Sequence, residues 1–311
     1  REVRTALRQP MVYVFMLILA VLVCAAVVSD NVTIGGSVGN VNRNAPFIVM
    51  LFTSIMSIFG LLFATAFFNN AALREYNYQF QEILFSTPVQ KSGFFFGRFT
   101  GALLLSTLPF LGVFLGVWVG TWLGPAAGWM PAERMGPVPW ETFLNGYLLF
   151  ALPNMFVAGA LIFFLATRFR STIVSFLGAL GIIIVYFIAQ SFLSDIENER
   201  TAALFDLFGI ATYSVETKYF TAIEKNTVTV GFDSLLGLNR LIWIAAGVLL
   251  TLLSYFTFSF RKKKTRVRKK KAAKVREEVA APAPDLSRPA VSPKFSRVTN
   301  WRQFRSFFKT N

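Results

Sequence analysis

"STIVSFLGALGIIIVYFIAQSFLS" (Ser171–Ser194) contains no charged residue from end to end. A hydrocarbon core about 30 Å thick takes roughly 20 apolar residues of helix to cross, so this stretch is long enough to span a bilayer. Arg168 and Arg170 stand just before it; Asp195, Glu197 and Glu199 stand just after. Short loops rich in Lys and Arg stay on the cytoplasmic side. One stretch therefore predicts both a membrane span and its direction.

Five more blocks read the same way: Met11–Ser29, Phe47–Phe68, Phe99–Leu123, Thr142–Thr167 and Leu241–Phe260. The chain has 311 residues, is 54% hydrophobic and has a mean hydropathy of +0.54. A soluble domain scatters its apolar residues by period, whereas these are massed in blocks. The expected fold is an all-α membrane protein with six transmembrane helices. The first block lacks a small-x-small cleavage site and is followed by five more, so it does not read as a signal peptide. The chain opens on Arg1 rather than Met, which predicts a piece of a longer protein.

Four short basic segments fall on one predicted side: Arg1, Arg4 and Arg8; Arg74, Lys91 and Arg98; Arg168 and Arg170; and "RKKKTRVRKKKAAKVR" (Arg261–Arg276). The other side carries Asp30, Glu133, Glu141, Asp195, Asp206, Glu216, Glu224 and Asp233. Six spans with both termini in the cytoplasm satisfy every loop. The net charge of +15 comes largely from the run after the last span. There it reads as a stop-transfer anchor touching anionic membrane lipids. No aromatic or groove-reading partners accompany it, so nucleic acid is not the expected partner.

There is no histidine, which removes His-based triads and HExxH zinc sites. The single cysteine, Cys24, cannot form an internal disulfide. Asn31 opens an Asn-Val-Thr sequon. No GxxxxGK[ST] phosphate cradle is present, so the chain is not itself expected to be an ATPase or any other enzyme. As delimited, no span contains an ionisable residue. Ion-coupled carriers place acids or bases at the midplane, so an external energy source and an apolar pathway are expected.

"REYNYQFQEILFSTPVQKSGFFFGR" (Arg74–Arg98) interrupts the apolar blocks on the basic side. Leu73, Tyr76, Phe80, Ile83 and Leu84 recur at helical spacing. Arg74, Glu75, Asn77, Gln79, Gln81 and Glu82 cover the rest, and Pro88 restricts Thr87 and ends the helix. Two readings fit this period: a helix lying in the headgroup layer, or a helix docking a cytoplasmic motor. Within the spans, Gly112, Gly116, Gly120 and Gly124 recur every fourth residue and predict close backbone packing. That packing is either internal or a face for a second half. Pro109 and Pro153 are hinge candidates. Asn154 and Gln190 are polar groups at depth, expected to hydrogen-bond between helices. The loop from Asp195 to Asn239 is too long for a plain connector and predicts short helices capping the outer mouth.

The pattern Arg-Glu…Glu-Ile-Leu-x-x-Thr-Pro-Val…Gly-Arg after the second of six spans resembles the type-2 export permeases of ATP-binding cassette transporters. The matching residues are Arg74, Glu75, Glu82, Ile83, Leu84, Thr87, Pro88 and Arg98. The resemblance implies that this segment, with Tyr76 and Phe80 on its apolar face, is a coupling helix contacting ATPase subunits. Asn77, Gln79 and Phe80 stand where the family often has a second acid and a Gly-Thr pair. The outer loop is similar to a narrower bacterial subfamily that fuses two permease halves to a C-terminal zinc aminopeptidase. Phe205, Asp206, Phe208, Gly209, Tyr219, Thr221, Glu224, Lys225, Asn226, Thr227, Asn239 and Arg240 carry that likeness. Leu207 replaces its usual Pro, and Phe220 its Trp.

The resemblance implies residues 1–10 as an interfacial N-terminal helix and 11–260 as a six-span permease domain. A basic, then Pro/Ala-rich, cytoplasmic linker covers 261–300. Residues 301–311 form an amphipathic segment, either an anchor or the start of a second permease half. The implied protein sits in the bacterial inner membrane and exports a hydrophobic or amphipathic substrate. ATP and Mg would be bound by the partner ATPase, and zinc only by a peptidase domain beyond Asn311. The alternative is a membrane anchor for that peptidase, with no transport of its own.

Overall fold

In hydrocarbon, every backbone N–H and C=O must find its partner within the segment, so each apolar block folds as a helix. The computed structural model describes residues 9–29, 40–78, 90–192 and 199–259, and among these every regular element is helical. Six helices are long and apolar enough to cross a membrane: Pro10–Val28, Pro46–Asn77, Lys91–Ala126, Trp140–Phe169, Thr172–Ser191 and Leu235–Thr257. This is the architecture of a multi-pass membrane protein. The N-terminal segment through residue 8, the Asn31 sequon, the linker 261–300 and the amphipathic 301–311 lie outside the described residues. So do Phe80, Glu82, Ile83, Leu84, Thr87 and Pro88.

The spans alternate in direction. One end of the bundle, here the basic end, carries Arg74, Lys91, Arg98, Arg168 and Arg170. The other, the loop end, carries the short helices Glu199–Leu204, Ile210–Glu216 and Ala222–Thr227. Trp118, Trp122, Trp129 and Trp140 are exposed around the loop-end turn between the third and fourth spans. Such rings belong at a membrane–water interface.

The helices run past the apolar blocks that announce them, which corrects two expectations. The second helix continues through Arg74, Glu75 and Tyr76 to Asn77, so the start of the expected coupling helix is one piece with the span. The sixth begins at Leu235, with Ser234 accepting a hydrogen bond from the Gly237 N–H, and so encloses Asn239 and Arg240. The spans are thus not free of ionisable residues: Glu75, Arg98, Arg168 and Arg240 all lie within span helices, towards their ends.

The second and fourth spans form the middle of the bundle, packed on each other. The fifth and sixth both pack on the fourth, and the first packs on the later half of the third. Val12, Leu19, Val23 and Val27 are the residues the first span buries. Opposite them lies the glycine stripe. A Cβ added at Gly112 would stand 2.1 Å from the Met16 carbonyl oxygen, and one at Gly116 2.5 Å from that of Ala20. At Gly120 and Gly124 it would meet Val27 and Val28 side chains at 3.1 and 3.3 Å. The two backbones touch, which only glycine permits.

The two hinge candidates, Pro109 and Pro153, each coincide with a change of helical pitch. Leu108–Phe110 is a 3-10 turn that splits the third span into Lys91–Thr107 and Leu111–Ala126. Tyr147–Ala151 is a π turn between Trp140–Gly146 and Leu152–Phe169, and its exit Leu152 N–H bonds the Tyr147 carbonyl. Pro153 has no N–H and its ring would collide with the carbonyl four residues back in a regular helix; the widened turn accommodates it.

Candidate functional sites at the two ends of the spans

At the basic end the second and third spans are joined by an ion pair. Glu75 and Arg98 are both buried, and the guanidinium Nη1 and Nη2 donate to the two carboxylate oxygens of Glu75. Arg98 Nη1 also donates to the Ala71 carbonyl at 2.8 Å, and the guanidinium carbon stands 4.3 Å from the centre of the Phe94 ring. The planar fork suits such bidentate pairing. Arg74 reaches Glu75 from the exposed side at 3.6 Å. Tyr76 lies under Arg170, 4.7 Å from ring centre to guanidinium carbon. The segment leaving the second span is therefore tied to the third span and to the turn before the fifth. Glu75 faces into the bundle, not outward to a motor. That turn is sharp: Arg170 adopts φ 53°, a left-handed cap more usual for glycine, and its N–H bonds the Ala166 carbonyl at 2.8 Å.

At the loop end a polar knot joins residues far apart in the chain. Arg240 is fully buried. Its Nη1 donates to Asn154 Oδ1 at 2.6 Å, and its Nη2 to the Asp206 and Leu207 carbonyls at 3.2 Å each. Its Nε donates to Asn239 Oδ1 at 2.8 Å. The Asn239 amide donates to the carbonyls of Ala203, Leu204 and Asp206. Asn154, buried in the fourth span, donates to Ser57 Oγ at 2.7 Å and to the Phe208 carbonyl at 3.1 Å. Buried polar groups demand such saturation, since an orphan costs roughly 1–3 kcal/mol.

Asp206 organises the turn above the knot. Its carboxylate accepts from the Phe208 N–H at 3.0 Å and the Ala211 N–H at 2.5 Å. Burial pushes this carboxyl above the usual carboxylate range, against the pull of the Ala211 N–H and of the Arg240 charge. Gly209 follows at φ +77°, and a Cβ there would stand 2.7 Å from Arg240 Nη2. The turn requires glycine for its conformation and again for the space the guanidinium fills.

Glu224, Lys225 and Asn226 do a different job. Glu224 and Thr221 form a capping box on the helix Ala222–Thr227. Lys225 Nζ stands 4.8 Å from the centre of the Phe47 ring. Asn226 accepts from the Asn42 N–H at 2.8 Å and donates to the Asn40 carbonyl at 2.9 Å. They hold the loop against the entry to the second span. Asp206, Gly209, Asn239 and Arg240 thus come together with Asn154, while Glu224, Lys225 and Asn226 form a separate clasp. Sequence reasoning missed Ser57, and it named Glu75 and Arg98 without pairing them. Opposite charges at adjoining span ends on the same side were the available signal.

Comparison with family models, with curated proteins and with solved structures found no match to this chain.

Proposed function

We propose that this chain is one permease half of an ATP-binding cassette transporter. Its basic end lies in the cytoplasm of a bacterium, and it exports a hydrophobic or amphipathic substrate on ATP hydrolysed by a separate ATPase. The observation that carries this reading is the buried Glu75–Arg98 clamp. It ties the second span to the third at the end from which the segment between Asn77 and Lys91 leaves and returns. A force applied to that segment moves the second and third spans together, and the second packs along the fourth. The charged residues of the described spans sit towards their ends, which supports an energy source outside the bilayer.

The test is co-expression of the full chain with ATP-binding cassette ATPase subunits from the same genome, followed by purification and reconstitution. The ATPase is expected to co-purify, and its hydrolysis to rise with the permease present. Glu82→Lys is expected to lower association about tenfold, the loss of one desolvated charge-assisted contact. Glu75→Gln, which weakens the clamp from inside, is expected to keep association and lower stimulated hydrolysis. Wild-type yield and unchanged hydrolysis in Glu82→Lys would count against the proposal and favour a plain membrane anchor.

A further inference from the structure

From Thr217 to Ser234 the chain leaves the helix Ile210–Glu216, crosses the loop end and returns to start the sixth span. The two feet of this excursion are pinned. Thr217 is buried, and its Oγ1 donates to the Tyr213 carbonyl at 2.7 Å. Val230 is buried on the returning side. The Leu235 N–H donates to Glu216 Oε2 at 3.1 Å and closes the base. Between the feet the packing stops. No residue from Lys218 to Thr229 is buried, the helix Ala222–Thr227 included. A surface loop whose ends are held together and whose tip is lightly packed can move as a unit.

The tip is held down by contacts open to water. Asn226 accepts from the Asn42 N–H at 2.8 Å and donates to the Asn40 carbonyl at 2.9 Å. Thr229 Oγ1 stands 2.6 Å from Thr142 Oγ1. Lys218 pairs with Glu199 on the surface at 2.8 Å. Water replaces such hydrogen bonds at small net cost, and an exposed ion pair adds little. What lies beneath is different. Phe47, Met50, Leu149, Phe150, Tyr213 and Leu236 are buried together in an apolar cluster separate from the main core. It joins the start of the second span, the π turn of the fourth and the start of the sixth. Phe220, half-buried, rests on this cluster. The Arg240 knot takes no part. Its acceptors are on Asn154, Asn239, Asp206 and Leu207, all outside the excursion.

We propose that residues 218–229 are a lid. It lifts about the base closed by Glu216 and Leu235, leaves the Arg240 knot intact, and opens the apolar cluster around Met50 to the loop side. This movement does not depend on the chain working with an ATPase.

The test uses the purified full chain in lipid nanodiscs, with Cys24→Ala and one probe cysteine. The reaction rate with a water-soluble methanethiosulfonate reads how often the probe meets water. Met50→Cys is expected to react slowly. Adding Asn226→Ala, which removes both Asn226 hydrogen bonds, is expected to speed the reaction about tenfold. Ala160→Cys, in the main core on the fourth span, is expected to stay unreactive in both backgrounds. An unchanged rate at Met50→Cys overturns the proposal. So does equal acceleration at Ala160→Cys, which would show the whole domain loosening. Should Met50→Cys fail to fold, hydrogen exchange decides. Peptides over 218–229 are expected to exchange ahead of 210–216, and about tenfold faster in Asn226→Ala, while 235–245 hold. Exchange of 210–216 and 218–229 in step overturns the lid as well.

Discussion

Arg240 shows how a cation is kept at the edge of a membrane domain. It is surrounded by oxygens of Asn154, Asn239 and two backbone carbonyls, with Asp206 supplying the opposite charge close by. Gly209 is the weak point of this arrangement. Gly209→Ala would force a side chain into the left-handed region at a cost of about 1–2 kcal/mol. Its Cβ would also push the guanidinium off its acceptors, each orphan costing roughly 1–3 kcal/mol more. A loss of about 3 kcal/mol or more is expected, measured by thermal unfolding in detergent. Asp206 gives the knot a pH dependence. Its folded pKa is raised by burial, so the folded state holds the proton after the unfolded chain has released it. The contribution is full below the ordinary carboxylate pKa and is lost as pH rises through the folded value. Wild-type stability is therefore expected to fall more steeply than that of Asp206→Asn over this window, whatever the variant's absolute stability. Unfolding midpoints taken as a pH series check it.

Among elements, the seam between the first span and the later half of the third rests on glycine rather than on side-chain interlock. Gly112→Ala places a methyl 2.1 Å from the Met16 carbonyl oxygen. The helices must part, at a cost of about 1–3 kcal/mol. Gly97 in the same span has open space around it, so Gly97→Ala is expected to be neutral or to gain up to about 1 kcal/mol of helix propensity. Unfolding of the two variants side by side checks the contrast. The stripe was legible in the sequence because a four-residue period lies on one helix face. Its partner was not, because a period says which face is small and not what lies against it. The helix ends were less legible still. Reading charge as a boundary stopped the last span short of Arg240 and the second short of Glu75. Ser234, a hydroxyl just before an apolar run, was the better marker of a helix start. A buried charge can sit inside a span when its partners come from elsewhere in the chain; Asn154 was legible as a polar group at depth, but no local pattern named Arg240 as its partner.

For the whole molecule, the six blocks, their alternation and the sidedness of Lys and Arg were all present in the sequence, because the bilayer imposes them on any chain of this kind. Sidedness makes a direct prediction. Ser92 is exposed at the basic end. In a chain with Cys24→Ala, a Ser92→Cys probe is expected to react with an impermeant maleimide only after the cells are opened. Labelling in intact cells would invert the topology. The knot at Arg240 has a last consequence, for the order of synthesis. Ser57, Asn154, Asp206, Leu207 and Asn239 all precede Arg240 in the chain. A ribosome delivers this arginine to the bilayer only after every group that will hold it has been made. The sixth span, which carries this guanidinium into the loop-end side, therefore arrives last among its partners, and a chain stalled before Arg240 carries their unmet acceptors and the Asp206 carboxyl, not an unmet cation.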